Sequence, residues 1–284
     1  MIEMLINPKK AERKPWEMFF VGMLYSVVSI LLVMFLFSGD DILKNGSGLL
    51  IVVLTVIFCM PFMYYLIKEE EGKDLEITDE GKLVKEHSRA LYALIWLFLG
   101  ITVAFAIMYL IFPAFSGQTF NYQIQTYCAI NSPGNFNYCV ESASTSAITG
   151  NATSLGSFFS ILINNLRVLV MTLIFSLAFG AGAIFILVWN ASVIGSAMGI
   201  FAKGKLFALP VSFFRYMIHG IPEIAGYFLG ALAGGILSVA IIRKDLQGEK
   251  KWRILEDVIL LVIASIVILI LAAIMEVYLT PIFF

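Results

Sequence analysis

Arg215, His219 and Glu223 stand four residues apart in an otherwise apolar run, LFALPVSFFRYMIHGIPEIAGYFLGALAGGILSVAII, at residues 206–242. An ionisable side chain at the centre of a bilayer costs on the order of 2.5–3.5 kcal/mol, so such groups persist where they pair, bind or relay charge. Arg215 and His219 share one helix face. His219 ends the first apolar piece, where a helix C-terminus favours a cation, and Gly220 supplies a break. Pro222 suits the first turn of a second helix, and Glu223 lies at its N-terminal end, where an anion is favoured. Asn164, Asn165, Arg167 and Glu276 are further polar residues in or beside apolar runs and join the candidate membrane cluster. Two roles are open to this set: a binding or relay site facing outward, or an ion pair that pins the turn shut.

The elements that carry these residues follow from length. Thirteen residues of helix, 206–218, rise roughly 20 Å, against about 30 Å of hydrocarbon. The sequence therefore predicts a short broken helical hairpin over 206–242 with its turn inside the membrane. Irregular backbone at that depth is tolerated when buried in protein or lining a wet cavity.

The whole chain fits that setting. Its 284 residues are 60% hydrophobic and 14% charged, with mean hydropathy +0.91. This is an all-α polytopic membrane protein; the alternating ten-residue segments of a β-barrel are missing. A net charge of −1 argues against nucleic acid as a partner. Two histidines and three cysteines argue against a multi-ligand zinc site or an iron–sulfur cluster, and no cofactor is expected. No HExxH, GxSxG or paired intramembrane aspartates occur, so a non-enzymatic role is expected. No cleavable signal peptide is expected, because basic Lys9, Lys10, Arg13 and Lys14 precede a run, 19–37, long enough to span.

Seven crossings are predicted: 19–37, 49–67, 91–112, 166–188, 206–218, 222–242 and 257–279. They divide the chain into an N-terminal three-helix membrane region (1–112, with a charged loop at 68–90), a polar loop (113–163) and a C-terminal membrane region (164–284). The charged loop reads as a solvated juxtamembrane segment in which Thr78 caps a short helix and His87 faces water. The polar loop carries no Lys or Arg. It holds Cys128 and Cys139, for which a disulfide is expected if the loop faces an oxidising exterior. Asn151-Ala-Thr153 matches a glycosylation sequon. Gly226, Gly230 and Gly234 form a small-residue strip, Gly195 and Gly199 a second; both read as helix-packing devices, within the chain or in a homo-oligomer.

Charge orients the prediction. With these crossings, loops on the N-terminal side hold 16 of the 19 basic residues, including Lys203, Lys205 and those of 243–253. The positive-inside rule then puts the N-terminus in the cytoplasm and the C-terminus outside, in a multi-pass protein of the cell membrane.

The run Asn164-Asn165-x-Arg167, a glycine-bearing span, the Asn/Gly-bearing link 190–199, and His219-Gly220-x-x-Glu223 before a small-residue helix together resemble the stage II sporulation protein M family. The resemblance covers 164–242. It departs where the family often has Pro before the His, since Ile218 stands there. In sporulating bacteria the resemblance implies a membrane subunit that helps assemble a cell-wall-remodelling complex. Two functions are carried forward: a membrane scaffold with lipids around it and envelope proteins as partners, and a transporter or channel for a small solute or ion. A broken hairpin with buried charges is a transporter feature, but no second copy of the hairpin is evident. An intramembrane hydrolase lacks its motifs.

Overall fold

Backbone in hydrocarbon must satisfy its own hydrogen bonds, and among the described residues it does so entirely through helices. The structure is a computed structural model that describes residues 8–37, 40, 43–76, 80–112, 117–131, 135–145, 155–179, 183–202, 205–247 and 251–283. Its helices are α1 (Pro8–Arg13), α2 (Glu17–Phe37), α3 (Ser47–Glu76), α4 (Glu80–Ile111), α5 (Asn121–Asn131), α6 (Phe136–Thr145), α7 (Leu155–Phe179), α8 (Ile184–Phe201), α9 (Leu209–Arg243), α10 (Lys251–Ile274) and α11 (Thr280–Phe283). A π-helical turn, Met275–Leu279, joins the last two. Seven stretches are long and apolar enough to cross a membrane: Glu17–Phe37, Ser47–Glu70, His87–Ile111, Phe158–Ala178, Ile184–Phe201, Leu206–Arg243 and Lys251–Phe283. The all-α architecture with seven crossings is as expected from the sequence, but two of the crossings are not the ones expected.

The broken hairpin does not form. α9 runs unbroken through His219, Gly220 and Pro222 for 35 residues, about 52 Å of helix. Proline removes one hydrogen bond and crowds the preceding turn, yet membrane helices accommodate it because neighbouring groups re-satisfy the freed carbonyl. Gly220 does not adopt the left-handed conformation that a helix stop there would need. The stop comes instead at Lys244, whose φ of 63° closes α9 with its N–H donated to the Ala240 and Ile241 carbonyls.

The missing crossing is supplied by α8, in the stretch expected to be a link. Asn190, Ser192 and Ser196 give that stretch a polar look. Within the helix, Asn190 donates to the Ile186 carbonyl at 2.7 Å and the Ser192 hydroxyl to the Trp189 carbonyl at 2.7 Å. A side chain that bonds its own helix adds little polarity to the outside of it. The single fourth span expected at 166–188 is thus two helices, α7 and α8. α7 also begins at Leu155, inside the polar loop assigned to 113–163.

Glycines set the packing and fix the helix directions. A Cβ on Gly22 or Gly100 would strike the backbone at Leu97 or Phe19, so α2 and α4 run parallel in close contact. Gly195 and Gly199 lie against Thr102, Phe105 and Tyr109, with α8 parallel to α4. α9 occupies the middle, touching α3, α4, α7, α8 and α10. A Cβ on Gly226 would lie 3.0 Å from Leu269 of α10; on Gly230 it would meet Leu169 of α7; on Gly234 it would lie 2.9 Å from the Leu173 carbonyl and from Ser176 Cβ. Ser265 and Ser176 then donate to the Gly226 and Ala231 carbonyls at 2.7 and 2.6 Å.

These directions gather the start of α2, the end of α3, the start of α4, the end of α9 and the start of α10 at one end of the bundle, here called the N-terminal face. Lys205 stands at the opposite end from Arg243, the two being separated by the length of α9. The expectation that both basic segments share a side is therefore corrected: Arg243, Lys244, Lys251 and Arg253 stay with the N-terminal face and Lys205 leaves it. His87 is also corrected. It is 3% exposed, with Nδ1 2.7 Å from Glu70 Oε2 and Nε2 3.4 Å from Asp257 Oδ2, because α3 and α10 close over it. Thr78 and the Asn151 sequon lie outside the described residues.

At the other end, α5 and α6 are tied by a disulfide between Cys128 and Cys139, both buried. Gln123 of α5 donates to the Gly48 carbonyl at 3.0 Å and to Ser192 Oγ at 3.3 Å, and Phe120 packs on Phe105 and Tyr109. The polar loop is therefore partly a helical cap seated on the membrane helices.

Two expected outcomes follow from the unbroken α9. In a background without native cysteines, Leu206→Cys and Asp245→Cys should react with an impermeant maleimide from opposite sides of sealed vesicles; same-side labelling restores the hairpin. Gly220→Ala, whose new methyl group meets nothing closer than Met217 Cε at 3.7 Å, should be neutral or stabilise by up to about 1 kcal/mol in detergent melts. Gly234→Ala should cost about 1–3 kcal/mol by overpacking. A destabilising Gly220→Ala would show that this glycine ends a helix.

Candidate functional site

An unbroken helix puts residues four apart in one stripe, so Arg215, His219, Glu223 and Tyr227 line up along α9. The stripe faces the C-terminal element. His219 Nδ1 lies 3.1 Å from Thr280 Oγ1, which in turn donates to the Met275 carbonyl at 3.2 Å. That second bond spans the π turn. A π turn carries one residue more than an α turn, which shifts the side chains that follow it round the helix. Glu276, in this turn, is close enough to Glu223, Tyr216 and Tyr227 to interact with each electrostatically.

The expected ion pair between Arg215 and Glu223 is replaced by other partners. Eight residues apart on one continuous helix, they are displaced by about 12 Å along its axis. Tyr227 meets Glu223 instead, its hydroxyl donating to Oε1 at 2.8 Å. The Arg215 guanidinium lies over the Phe201 ring of α8, 4.8 Å from its centroid, where the ring's negative face attracts a cation. Tyr216 stands edge-on to the same ring and its hydroxyl reaches that of Tyr127 in α5 at 3.4 Å. The cluster thus joins α5, α8, α9 and the π turn.

The remaining candidates divide. Glu276 belongs to the cluster. Asn165 is 3% exposed on α7, one turn before the Leu169 that packs on Gly230, and its Nδ2 finds no hydrogen-bond partner among the described residues. Asn164 is half-buried and Arg167 is exposed, and among the described residues no hydrogen bond or ion pair joins either, or Asn165, to the α9 stripe. Sequence reasoning missed Thr280, Tyr216, Tyr227 and Tyr127, although Tyr227 follows Glu223 by the same four-residue step. It also missed a second polar cluster at the N-terminal face. There Lys73 Nζ contacts Glu70 at 2.6 Å and both Glu12 oxygens at 3.0 Å, beside the Glu70–His87–Asp257 chain. The signal for it was the Glu70–Lys73 spacing of three, with His87 placed symmetrically across the short α3–α4 connection.

Seven apolar helices, among them a glycine-lined central helix that carries a largely half-buried polar stripe, define a multi-pass α-helical membrane protein. The sequence profile of the stage II sporulation protein M family matches residues 93–281, from within α4 into α11, and the chain belongs to that family. It is 32% identical over 130 residues to an uncharacterised protein of Methanocaldococcus jannaschii, a match covering 44% of this chain and 71% of the relative. No solved structure matches.

A double-mutant cycle in detergent distinguishes the observed partners from the expected ones. Glu223→Gln with Tyr227→Phe should show a coupling of about 1–2 kcal/mol, as for side chains sharing a buried hydrogen bond. Arg215→Gln with Glu223→Gln should be additive to within about 0.5 kcal/mol. Larger coupling in the second pair would return Arg215 to Glu223.

Proposed function

We propose that the protein is a non-enzymatic membrane scaffold, a rigid helical platform that holds partner proteins of an envelope complex. The observation that carries this reading is how α9 is used. Its glycine strip is consumed by α7 and α10, and its polar stripe is met by Thr280, Phe201 and the π turn, with Tyr227 bonding Glu223 within the stripe. A strip spent on internal contacts supports a stable body rather than one bundle rocking against another. Family membership agrees with this reading, and so does the charged N-terminal face formed by α1, the end of α3, His87 and Arg89 of α4 and the start of α10. By the positive-inside rule that face is cytoplasmic, in a cell membrane, with α5 and α6 outside. Nucleic acid is not among the proposed partners.

A second reading, transport of a proton or small cation, is favoured by one observation: half-buried Glu223 and Glu276 lie close enough for their charges to interact. The two readings part in proteoliposomes. With an imposed potassium gradient and an internal pH dye, the scaffold reading expects acidification no faster than in empty liposomes. It also expects a tagged chain, cross-linked in native membranes at its natural abundance, to run as one discrete heteromeric complex, lost on Arg253→Glu. Flux above the empty-liposome rate that disappears in Glu223→Gln would replace the scaffold by the transporter.

A further inference from the structure

At the N-terminal face, α1, the end of α3 and the start of α4 enclose a cleft of about 560 Å³ lined by Lys9, Glu12, Arg13, Glu69, Lys73 and Arg89. Four cations and two carboxylates leave the lining formally positive. The carboxylates are further offset. Glu12 is gripped by Lys73, and burial pushes its carboxyl up to about 7, so near neutrality it is only partly ionised. Glu69 faces Lys9 at 3.4 Å, but the Lys9 side chain is 69% exposed, an arrangement that solvent screens and that exchanges partners easily. Arg13 and Arg89 are exposed at the cleft, and Arg13 enters no ion pair among the described residues.

The position of the cleft indicates which anion reaches it. Arg13 lies four residues before the first span begins at Glu17, Lys73 three residues after the second ends at Glu70, and Arg89 two residues into the third. The cleft therefore opens at the level where apolar helix gives way to water. Trp16, 52% exposed and edge-on to the exposed Phe20, marks the same level, as aromatic residues do at headgroup depth. Arginine offers a phosphate a fork of donors, and basic clefts between membrane helices are suited to lipid headgroups.

We propose that this cleft binds a phosphate group, presented by an anionic phospholipid at the membrane surface and held by Lys9, Arg13 and Arg89 above the fixed Lys73. The inference is independent of the scaffold reading, since it concerns only α1, α3 and α4. Native mass spectrometry of the detergent-solubilised full chain, with added phosphatidylglycerol or phosphatidylcholine, tests it. The expected result is at least fivefold higher occupancy by phosphatidylglycerol. Arg13→Gln/Arg89→Gln should abolish that preference, Lys9→Gln should weaken it about threefold, and Lys205→Gln at the far end should leave it unchanged. Melting curves of each variant confirm that loss of lipid is not loss of fold, and the exposed Lys9→Gln decides the matter should the double variant unfold. A parallel titration with inorganic phosphate separates the sources. If millimolar phosphate displaces the lipid in the wild type and not in the double variant, the site stands with a soluble ligand as the competing occupant. Equal occupancy by the two lipids, or a preference that survives both the double variant and Lys9→Gln, overturns the proposal.

Discussion

Leu269, Leu169 and Ser176 come to rest against the backbone of one helix, and the rest of the bundle depends on their being able to do so. Lipid tails are as apolar as leucine, so membrane helices gain little by hiding from water and must gain by close packing and backbone hydrogen bonds. Glycine at 226, 230 and 234 permits that approach, and the serine hydroxyls of α7 and α10 use it to reach the Ala231 and Gly226 carbonyls. α9 is thereby surrounded. α8 is placed by the same means against α4, through Gly195 and Gly199.

Burying α9 commits whatever else it carries. Four polar side chains along one stripe would each be costly against lipid, and their partners come from the neighbouring elements and from the stripe itself. Phe201 takes the guanidinium, Thr280 the imidazole, and Tyr227 one carboxyl. The π turn belongs to this arrangement, because Glu276 sits in it and Thr280 follows directly after it. Its Met275 carbonyl accepts both the Thr280 backbone N–H and the Thr280 hydroxyl.

The two ends of the bundle are finished differently. One is closed by α5 and α6, cross-linked to each other through Cys128 and Cys139 and seated by Phe120 and Gln123. The other is finished with charge: Lys73 ties α1 to α3, while Glu70 and Asp257 bring α3 and α10 to His87 of α4. A histidine between two carboxylates is a tertiary contact of three helices, and each of the three has to end at the same level for it to form.

What the sequence determined by itself was set by quantities that add along the chain. Apolar run length and composition are enough for an all-α membrane protein with seven crossings, and small residues at a spacing of four mark the faces where helices meet. The four-residue spacing of Arg215, His219 and Glu223 singled them out together with Glu276, and the His-Gly-x-x-Glu pattern pointed to the right family. Local signals misled where tertiary surroundings outweigh them. Gly220 and Pro222 stop a helix in water, but inside a bundle neighbouring helices re-satisfy the freed backbone groups, so α9 continues. Asn190 and Ser192 suggest a loop until their side chains are seen to bond their own helix. His87 looks like a surface residue because its partners, Glu70 and Asp257, are 17 and 170 positions away. Partner choice within the polar stripe followed from the unbroken helix: its axis carries Arg215 away from Glu223 and puts Tyr227 one turn from that carboxyl, while packing brings Phe201 to Arg215.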